Sequence, residues 1–311
     1  MNRGNNRIGR RQLLKLIAGL AGSFWITPGL SLAAGRTTIK KAIPSSGELL
    51  PVIGMGSSGT FDAAGNKEVI ANLEKVLGAF FEYGGTMIDS SPMYGSSEQV
   101  IGALLKTVSG PQTLFAATKV WTDGKASGIT QMELSRKLWG VGRFDLMQIH
   151  NLRDWKVHLE TLKAMKTEGK IRYIGITTSH GRYHDELLST LSNYPFDFVQ
   201  LSYNIGNREV EKALLPLAAE RGIAVIANRP FARGNLFRQT KDKPLPDWTE
   251  AFGCNSWGQF FLKYAVSHPA VTCAIPATSK VHHMIDNMGA GFGVLPDKAM
   301  RKKMEDHFDA L

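Results

Sequence analysis

The sequence predicts an α/β protein in which the main part of the chain forms one closed (β/α)8 barrel. Three observations lead to this prediction. From Pro51 onward, short apolar runs alternate with amphipathic segments, and eight such strand–helix units can be counted. Alternation of this kind over about 250 residues is typical of a parallel sheet, and eight units close naturally into a TIM-type barrel. The 43 % hydrophobic content is enough for one large core, so a single barrel domain is expected.

Each predicted strand is a short apolar run that is followed by a segment with helical periodicity. The strands are expected at residues 52–53, 87–88, 114–117, 144–149, 171–176, 198–201, 223–227 and 271–275. The first helix shows the pattern clearly, because Val69, Leu73, Val76 and Phe80 recur every three or four residues. The helix after the fourth strand is expected to end at Gly169, since glycine commonly terminates helices. In such a barrel the functional residues lie at the carboxyl ends of the strands.

A G-x-G-x-x-G spacing at residues 54–59 offers a competing prediction, a doubly wound dinucleotide-binding fold with Asp89 as the ribose ligand. In that fold the helix begins directly after the glycine turn, so that its amides meet the pyrophosphate. Here residues 61–66 intervene before any helical pattern begins. The spacing is therefore weak evidence, and the barrel is the preferred prediction.

The first residues of the chain have the character of an export signal. Arg10 and Arg11 precede an apolar stretch at residues 16–32 that is interrupted by glycine and proline. This arrangement resembles a twin-arginine (Tat) signal, although Gly9 and Leu13 replace the residues preferred beside the arginine pair. The apolar stretch is short, which favours a signal that is cleaved. An uncleaved anchor in the inner membrane is the alternative.

We therefore expect residues 1–34 to form a twin-arginine signal peptide, residues 35–50 an N-terminal arm or hairpin, and residues 51–311 the barrel with a C-terminal helix. The twin-arginine pathway carries folded proteins, often with a cofactor already bound. The expected location is the periplasm, with only transient contact with the Tat machinery and the membrane during export. A monomer is expected.

Charge and cysteine content narrow the classes of partner. Half of the formal net charge of +10 comes from five basic residues before residue 35, where no acidic residue occurs. The remainder is mildly basic and lacks basic runs interleaved with aromatic residues, so nucleic-acid binding is not expected. The chain has two cysteines, Cys254 and Cys273, which are too few for a disulfide framework or a zinc cage. At most they form one bridge, and no metal is expected.

Four residues capable of proton-transfer chemistry follow three successive predicted strands. Asp89 ends the second strand, Tyr94 follows it five residues later, Lys119 ends the third strand and His150 ends the fourth. A barrel brings the ends of these strands together at one face. In type and order the four residues resemble the catalytic tetrad of the aldo-keto reductases, and this resemblance extends from about residue 50 to residue 287.

The resemblance implies an NAD(P)H-dependent enzyme that reduces aldehydes or ketones to alcohols. Tyr94 would donate a proton to the carbonyl oxygen, and the ammonium of Lys119 would favour ionisation of the phenol. Asp89 would hold Lys119 in place. His150 would hydrogen-bond the substrate oxygen and orient the carbonyl group.

The sequence contains no visible flavin or metal motif, so the hydride donor is expected to be a nicotinamide. NADP(H) is preferred over NAD(H), because residues 278–280 open a helix whose hydroxyls, lysine and free amides suit a 2′-phosphate. The expected cofactor-binding residues are Gly56, Thr177, Thr178, Gln200, Arg229, Thr278, Ser279, Lys280 and Asn287. Two positions depart from the family pattern: Asn228 replaces an aromatic residue that stacks on the nicotinamide, and His283 replaces an arginine.

The substrate pocket is expected to be largely apolar and open. Its expected lining residues are Phe61, Met93, Trp121 and Asn151. A second hypothesis is a regulatory or redox-sensing protein on the same barrel that binds a nicotinamide and turns over slowly, because free NADPH is not expected in a periplasm. Rapid multiple turnover with added NADPH would distinguish the two.

Overall fold

The computed structural model describes Met1, residues 37–110 and residues 114–311. The predicted signal peptide and its cleavage site lie outside the described residues. The chain divides into the units Met1–Gly35 and Arg36–Leu311.

Eight parallel strands form the barrel, and they are hydrogen-bonded in chain order. These strands are β3 (Met55–Gly56), β4 (Met87–Asp89), β5 (Phe115–Val120), β6 (Phe144–Ile149), β7 (Ile171–Thr177), β8 (Phe198–Ser202), β9 (Ala224–Asn228) and β10 (Val271–Ala274). Parallel bridges that join Ile53 to Ala274 and Gly56 to Ala277 connect the first strand to the last. The predicted (β/α)8 barrel is confirmed, and it excludes the doubly wound alternative.

Helices alternate with the strands around the outside of the barrel. They are α1 (Lys67–Glu82), α2 (Ser97–Leu104), α3 (Lys125–Trp139), α4 (Trp155–Thr167), α5 (His184–Asn193), α6 (Leu214–Glu220), α7 (Asn235–Gln239), α8 (Trp257–Ser267), α9 (Val281–Gly289) and α10 (Lys298–Asp309). Helix α1 begins at Lys67 because the Asn66 side chain accepts a hydrogen bond from the Val69 amide. The glycine spacing at residues 54–59 is therefore separated from the nearest helix by a loop.

A two-stranded antiparallel hairpin, β1 (Lys40–Ala42) and β2 (Leu49–Pro51), precedes the barrel. Its buried side chains Ile43 and Leu50 join an apolar cluster with residues at the beginnings of several barrel strands, among them Met87 and Phe115. The hairpin therefore covers the amino-terminal end of the barrel. The opposite end stays available for a binding site, as expected for this fold.

The loops at that opposite end contain most of the unusual backbone conformations. Eight of the nine non-glycine residues with positive φ in the described part of the chain lie in the loops after β6, β7 and β9. Such conformations cost about 1–3 kcal/mol each and cluster at functional sites in proteins. The strain therefore marks the carboxyl-terminal end of the barrel as the functional end.

Cys254 and Cys273 are both free and buried, so the bridge that the sequence allowed is not formed. Burial raises the pKa of the Cys254 thiol to about 11 and that of Cys273 to about 12. Both are therefore weak nucleophiles at neutral pH. Across residues 37–110 and 114–311, the helices are too short or too polar to cross a membrane. In the same ranges, no three His, Cys, Asp or Glu side chains are grouped so as to hold a metal ion.

Candidate active site

The fold brings the four predicted tetrad residues together at the carboxyl-terminal end of the barrel. Asp89 is the last residue of β4, Lys119 lies near the end of β5, and His150 directly follows β6. Tyr94 lies in the loop between β4 and α2, where its amide donates to the Ser91 carbonyl oxygen in a turn. Register between neighbouring parallel strands thus positions three of the residues, and a short turn positions the fourth.

The loop that carries Tyr94 is fixed by the next residue, Gly95. Gly95 has a φ of 58°, and a Cβ at this position would lie 2.4 Å from the Asp62 carboxylate. That carboxylate accepts hydrogen bonds from the Ser96 amide at 2.8 Å and the Ser96 hydroxyl at 2.7 Å. The close approach of the two loops requires glycine here, because any side chain would push Tyr94 and the Asp62 loop apart.

Lys119 and Asp89 form a buried ion pair inside the barrel. The Lys119 Nζ lies 2.6 Å from Asp89 Oδ2 and also donates to the Ser90 carbonyl oxygen at 2.7 Å. The two side chains are 0 % and 3 % exposed. Burial acts to lower the pKa of Lys119, but the Asp89 carboxylate and the Tyr94 hydroxyl outweigh it, so the pKa of Lys119 stands above its ordinary value. The lysine therefore stays charged.

A series of side-chain amides continues from this ion pair across the barrel. Asp89 Oδ1 accepts hydrogen bonds from Gln148 Nε2 at 2.7 Å and Gln200 Nε2 at 3.0 Å. Gln200 Nε2 also donates to Gln148 Oε1 at 3.0 Å. Asn228 Nδ2 donates to Gln200 Oε1 at 3.4 Å and to the Thr178 carbonyl oxygen at 3.0 Å. Asp89 is thus fully satisfied, and the amide of Gln200 is already engaged within the protein.

Tyr94 lies between the charged lysine and a neutral histidine. The Lys119 Nζ is 5.1 Å from the centroid of the Tyr94 ring. The rings of Tyr94 and His150 are perpendicular, with centroids 5.9 Å apart. Burial, followed by the charge of Lys119, lowers the pKa of His150 to about 3. His150 is therefore a neutral imidazole at physiological pH, suited to hydrogen bonding and not to carrying charge.

A cavity of about 1340 Å³ opens above these residues. Single small-molecule sites measure roughly 300–1,000 Å³, so this cavity has room for a large cofactor together with a substrate. It is lined by the following predicted site residues: Asp89, Tyr94, His150, Gly56, Thr177, Thr178, Gln200, Arg229, Thr278, Asn287, Met93, Trp121 and Asn151. Lys119 lies beneath the cavity surface, where it contacts Tyr94.

Besides Lys119, three predicted residues do not line this cavity. Phe61 was expected in the substrate pocket, but it is 0 % exposed and belongs to the apolar core. The chain turns back before this ring, because the Thr60 and Phe61 amides both donate to the Ser57 carbonyl oxygen. Burial of a phenylalanine side chain stabilises the fold by about 1.5–3 kcal/mol. Ser279 and Lys280 are exposed just before α9 and are not among the lining residues.

The cavity is also more basic than the largely apolar pocket that the sequence predicts. Arg182 and Arg233 line it together with Arg229. Within the described ranges, none of the three has a carboxylate within 4.0 Å. Burial, followed by the charge of Arg233, lowers the pKa of Arg229, which is consistent with mutual repulsion among these side chains. Sequence reasoning missed Arg182, because only the folded loops bring it beside Arg229.

At the far end of the cavity, the amino terminus of α9 offers free backbone amides. Its first turn has no side-chain cap, while Thr278 Oγ1 accepts a hydrogen bond from the Lys280 amide just before it. Thr278, His283 and Asn287 line the cavity at this end. Uncapped amides and the helix dipole form an anion-binding site. This end of the cavity therefore fits a phosphate group.

Comparison with known proteins agrees with this geometry. The model of the aldo/keto reductase family matches residues 52–305. The chain therefore belongs to the aldo/keto reductase family and is an oxidoreductase. Methylglyoxal reductase YeaE of Escherichia coli (strain K12) is 28 % identical over 258 residues, which cover 80 % of this chain and 88 % of that protein. Aldo-keto reductase str7 of Strobilurus tenacellus is 27 % identical over 285 residues, which cover 75 % of this chain and 81 % of that protein.

Solved structures show the same fold. An aldo-keto reductase from Klebsiella pneumoniae in complex with NADPH aligns with a TM-score of 0.72 at 22 % identity, covering 87 % of this chain and 95 % of that one. The glycerol dehydrogenase AKR11B4 of Gluconobacter oxydans aligns with a TM-score of 0.70 at 21 % identity, covering 87 % and 95 % of the two chains. These similarities establish the shared barrel.

Proposed function

We propose that this protein reduces aldehydes or ketones to alcohols with a hydride from NADPH, and that Tyr94 donates the proton. The single observation that carries the proposal is the arrangement around Tyr94. A charged lysine, held by a buried carboxylate, lies 5.1 Å from the tyrosine ring, and a neutral histidine packs against the same ring at the cavity wall. Carbonyl reduction needs a proton donor and a hydrogen-bond donor at the same oxygen, and this arrangement supplies both.

When bound, the reduced nicotinamide supplies a hydride to the carbonyl carbon. The protein acts on the carbonyl oxygen. His150 hydrogen-bonds this oxygen and fixes its direction, and Tyr94 transfers its hydroxyl proton as negative charge develops there. The Lys119 ammonium stabilises the tyrosinate that remains, while Asp89 keeps the ammonium in place. Solvent then returns a proton to Tyr94.

The expected cofactor is NADP(H), and the lining of the cavity fits it. The uncapped amino terminus of α9, together with Thr278 and His283, would hold the 2′-phosphate, and Asn287 would contact the adenine. Arg229 and the two arginines beside it would meet the negative charge of the pyrophosphate. The Klebsiella pneumoniae structure was determined with NADPH, which supports the same choice.

The contacts to the nicotinamide carboxamide are more restricted than the resemblance implies. The Thr177 hydroxyl accepts the Asn151 amide at 3.0 Å, and the Thr178 hydroxyl donates to the Arg182 carbonyl oxygen at 2.5 Å. The Gln200 amide nitrogen is bonded to Asp89. We propose that the remaining lone pairs of the two threonine hydroxyls and of the Gln200 oxygen make the cofactor contacts.

The decisive experiment follows NADPH absorbance in the presence of a reactive carbonyl. Methylglyoxal, the substrate named for the E. coli relative, and an aromatic aldehyde serve as two test substrates. Tyr94→Phe should lose at least about 100-fold in kcat, the usual contribution of a general acid, while NADPH binding by fluorescence titration stays within about twofold. Tyr83→Phe is the matched control, because it removes the same atom from a ring that packs on Phe292, away from the cavity. A Tyr94→Phe variant that retained a tenth of the activity would contradict the proposal.

The same assay separates the reductase from a nicotinamide-binding regulatory protein. The replacement of an aromatic residue by Asn228 favours the second candidate, because a ring that holds the nicotinamide is absent at this position. NADPH binding with less than one turnover per protein molecule would favour the regulatory function. Many turnovers per molecule would favour the reductase.

We also propose that the protein is exported to the periplasm by the twin-arginine pathway, acts there as a monomer and loses residues 1–34. The export part rests on Arg10, Arg11 and the apolar stretch that follows them. The monomer part rests on the tetrad, because one chain supplies all four residues. Replacing both arginines by lysine should keep the protein in the cytoplasm. The mass of the periplasmic form gives the cleavage site, and light scattering gives the oligomeric state.

A further inference from the structure

The buried serine Ser91 contacts the histidine of the tetrad on the side that faces away from the cavity. Ser91 is 0 % exposed, and its Oγ lies 3.0 Å from His150 Nδ1. The same Oγ accepts a hydrogen bond from the Met93 amide at 3.2 Å. Among the hydrogen bonds of the described residues, the His150 ring makes one through Nδ1 and none through Nε2, and His150 lines the cavity. The two ring nitrogens therefore have different surroundings, one against Ser91 and one toward the substrate site.

These contacts select one tautomer of the imidazole. His150 is neutral, so its ring carries one hydrogen, on either Nδ1 or Nε2. Ser91 Oγ already accepts the Met93 amide, and its own hydrogen has one acceptor within hydrogen-bond distance among the described residues, His150 Nδ1. If Nδ1 carried the hydrogen instead, the buried hydroxyl hydrogen of Ser91 would have no acceptor, which is unfavourable. The serine therefore donates to Nδ1, and Nε2 carries the hydrogen.

We propose that Ser91 is a positioning residue that holds His150 as the Nε2–H tautomer, so that this nitrogen donates a hydrogen bond to the carbonyl oxygen of the substrate. The proposal rests on the proposed carbonyl reduction for its functional meaning. The other tautomer would present a lone pair to that oxygen and repel it. Ser91 touches neither substrate nor cofactor, and it acts through the orientation and protonation of the imidazole ring.

The first test is the tautomer itself, read from nitrogen NMR of the full chain labelled at histidine. His150→Gln assigns the His150 signals by their loss. In the wild-type protein we expect a protonated Nε2 and an unprotonated Nδ1 at neutral pH. A protonated Nδ1 in the wild type would overturn the proposal. This measurement needs no turnover, so it can succeed or fail independently of the reductase activity.

The second test is the kinetics of Ser91 variants with NADPH and a carbonyl substrate. Ser91→Ala should lower kcat by about 5- to 10-fold, the effect of one hydrogen bond, with the KM for NADPH unchanged, and its NMR spectrum should show a mixture of tautomers. Ser91→Thr keeps the hydroxyl and should restore both the tautomer and most of the rate. A Ser91→Ala variant with the wild-type tautomer, or with an unchanged kcat, would contradict the proposal.

A matched control separates positioning from a general loss of stability. Ser135 is also buried, and its hydroxyl donates to Glu98 Oε2 at 2.8 Å in a network that does not include His150. Ser135→Ala removes the same atom and should lower the unfolding midpoint comparably, yet leave kcat and the His150 signals unchanged. An equal loss of kcat in Ser135→Ala would show that the effect of Ser91→Ala is structural.

Discussion

Replacing Lys119 by Met should destabilise the protein more than removing both members of its ion pair. The Lys119 Nζ lies 2.6 Å from Asp89 Oδ2, with both side chains almost wholly buried. After Lys119→Met, the Asp89 carboxylate keeps the amides of Gln148 and Gln200 and loses its counter-charge. Leaving one charge of a buried pair unmatched costs about 3–5 kcal/mol of unfolding free energy.

The double variant Asp89→Asn/Lys119→Met carries neither charge. Its asparagine oxygen can still accept hydrogen bonds from the two glutamines, so we expect it to lose only about 1–3 kcal/mol relative to the wild type. Asp89→Asn alone leaves the Lys119 ammonium unmatched, at a similar cost of about 3–5 kcal/mol. The double-mutant cycle should therefore give a coupling free energy of about 3 kcal/mol or more. Urea unfolding, followed by fluorescence and circular dichroism in parallel, measures each value and checks that the transition is two-state.

Activity should not follow stability in this series. Lys119→Met and the double variant both lack the ammonium beside Tyr94. Both should therefore lose at least about 100-fold in kcat, although the double variant is the more stable of the two. Lys166→Met is the control, because its ion pair with Asp197 has the same 2.6 Å separation but a lysine side chain that is 41 % exposed. That variant should lose no more than about 1 kcal/mol. A loss below about 1 kcal/mol for Lys119→Met, or strictly additive losses in the cycle, would refute the reasoning.

Two further predictions concern pH dependence and packing. The pKa of His150 is about 3 in the folded protein and near 6.5 in the unfolded chain, so the unfolded state takes up the proton first as pH falls. This group therefore stabilises the fold fully above about pH 6.5 and progressively less down to about pH 3, by up to about 1.4 kcal/mol per pH unit. The melting temperature of His150→Gln should fall less steeply over that range, and parallel curves would contradict this. Gly102→Ala would place a Cβ 1.8 Å from the Leu138 carbonyl oxygen, so it should lower the free energy of unfolding in urea by about 1–3 kcal/mol. A Cβ at Gly78 would have nothing within 4 Å, so Gly78→Ala should stabilise α1 by about 0.5–1 kcal/mol. Equal effects at the two glycines would be inconsistent with the packing described.

The positions of the tetrad could be predicted because they follow from the order of the strands. Once eight parallel strands are inferred, a residue at the end of a strand lies at one end of the barrel, whatever the loops do. Asp89, Lys119 and His150 are of this kind. Tyr94 needed only a turn of a few residues to join them.

Residues in longer loops could not be placed in this way. Phe61 follows a strand just as Tyr94 does, yet its turn closes inward and buries the ring. Arg182 and Arg233 come from loops in which several non-glycine residues have positive φ, a conformation that the sequence does not signal. The basic character of the cavity therefore emerged only from the folded loops.

Asn228 departs from the family pattern, and its hydrogen-bond partners explain why an asparagine is suited to this position. The sequence alone suggests that a stacking ring is missing at this position. In the structure, the Asn228 amide donates to the Thr178 carbonyl oxygen, and its oxygen accepts the Ser202 hydroxyl at 2.7 Å. An aromatic side chain here would leave both groups, and the Gln200 oxygen, without this partner. Asn228 is thus part of a hydrogen-bond network that reaches Asp89 through Gln200. This network connects the ends of β7, β8 and β9 on the side where the nicotinamide is proposed to bind.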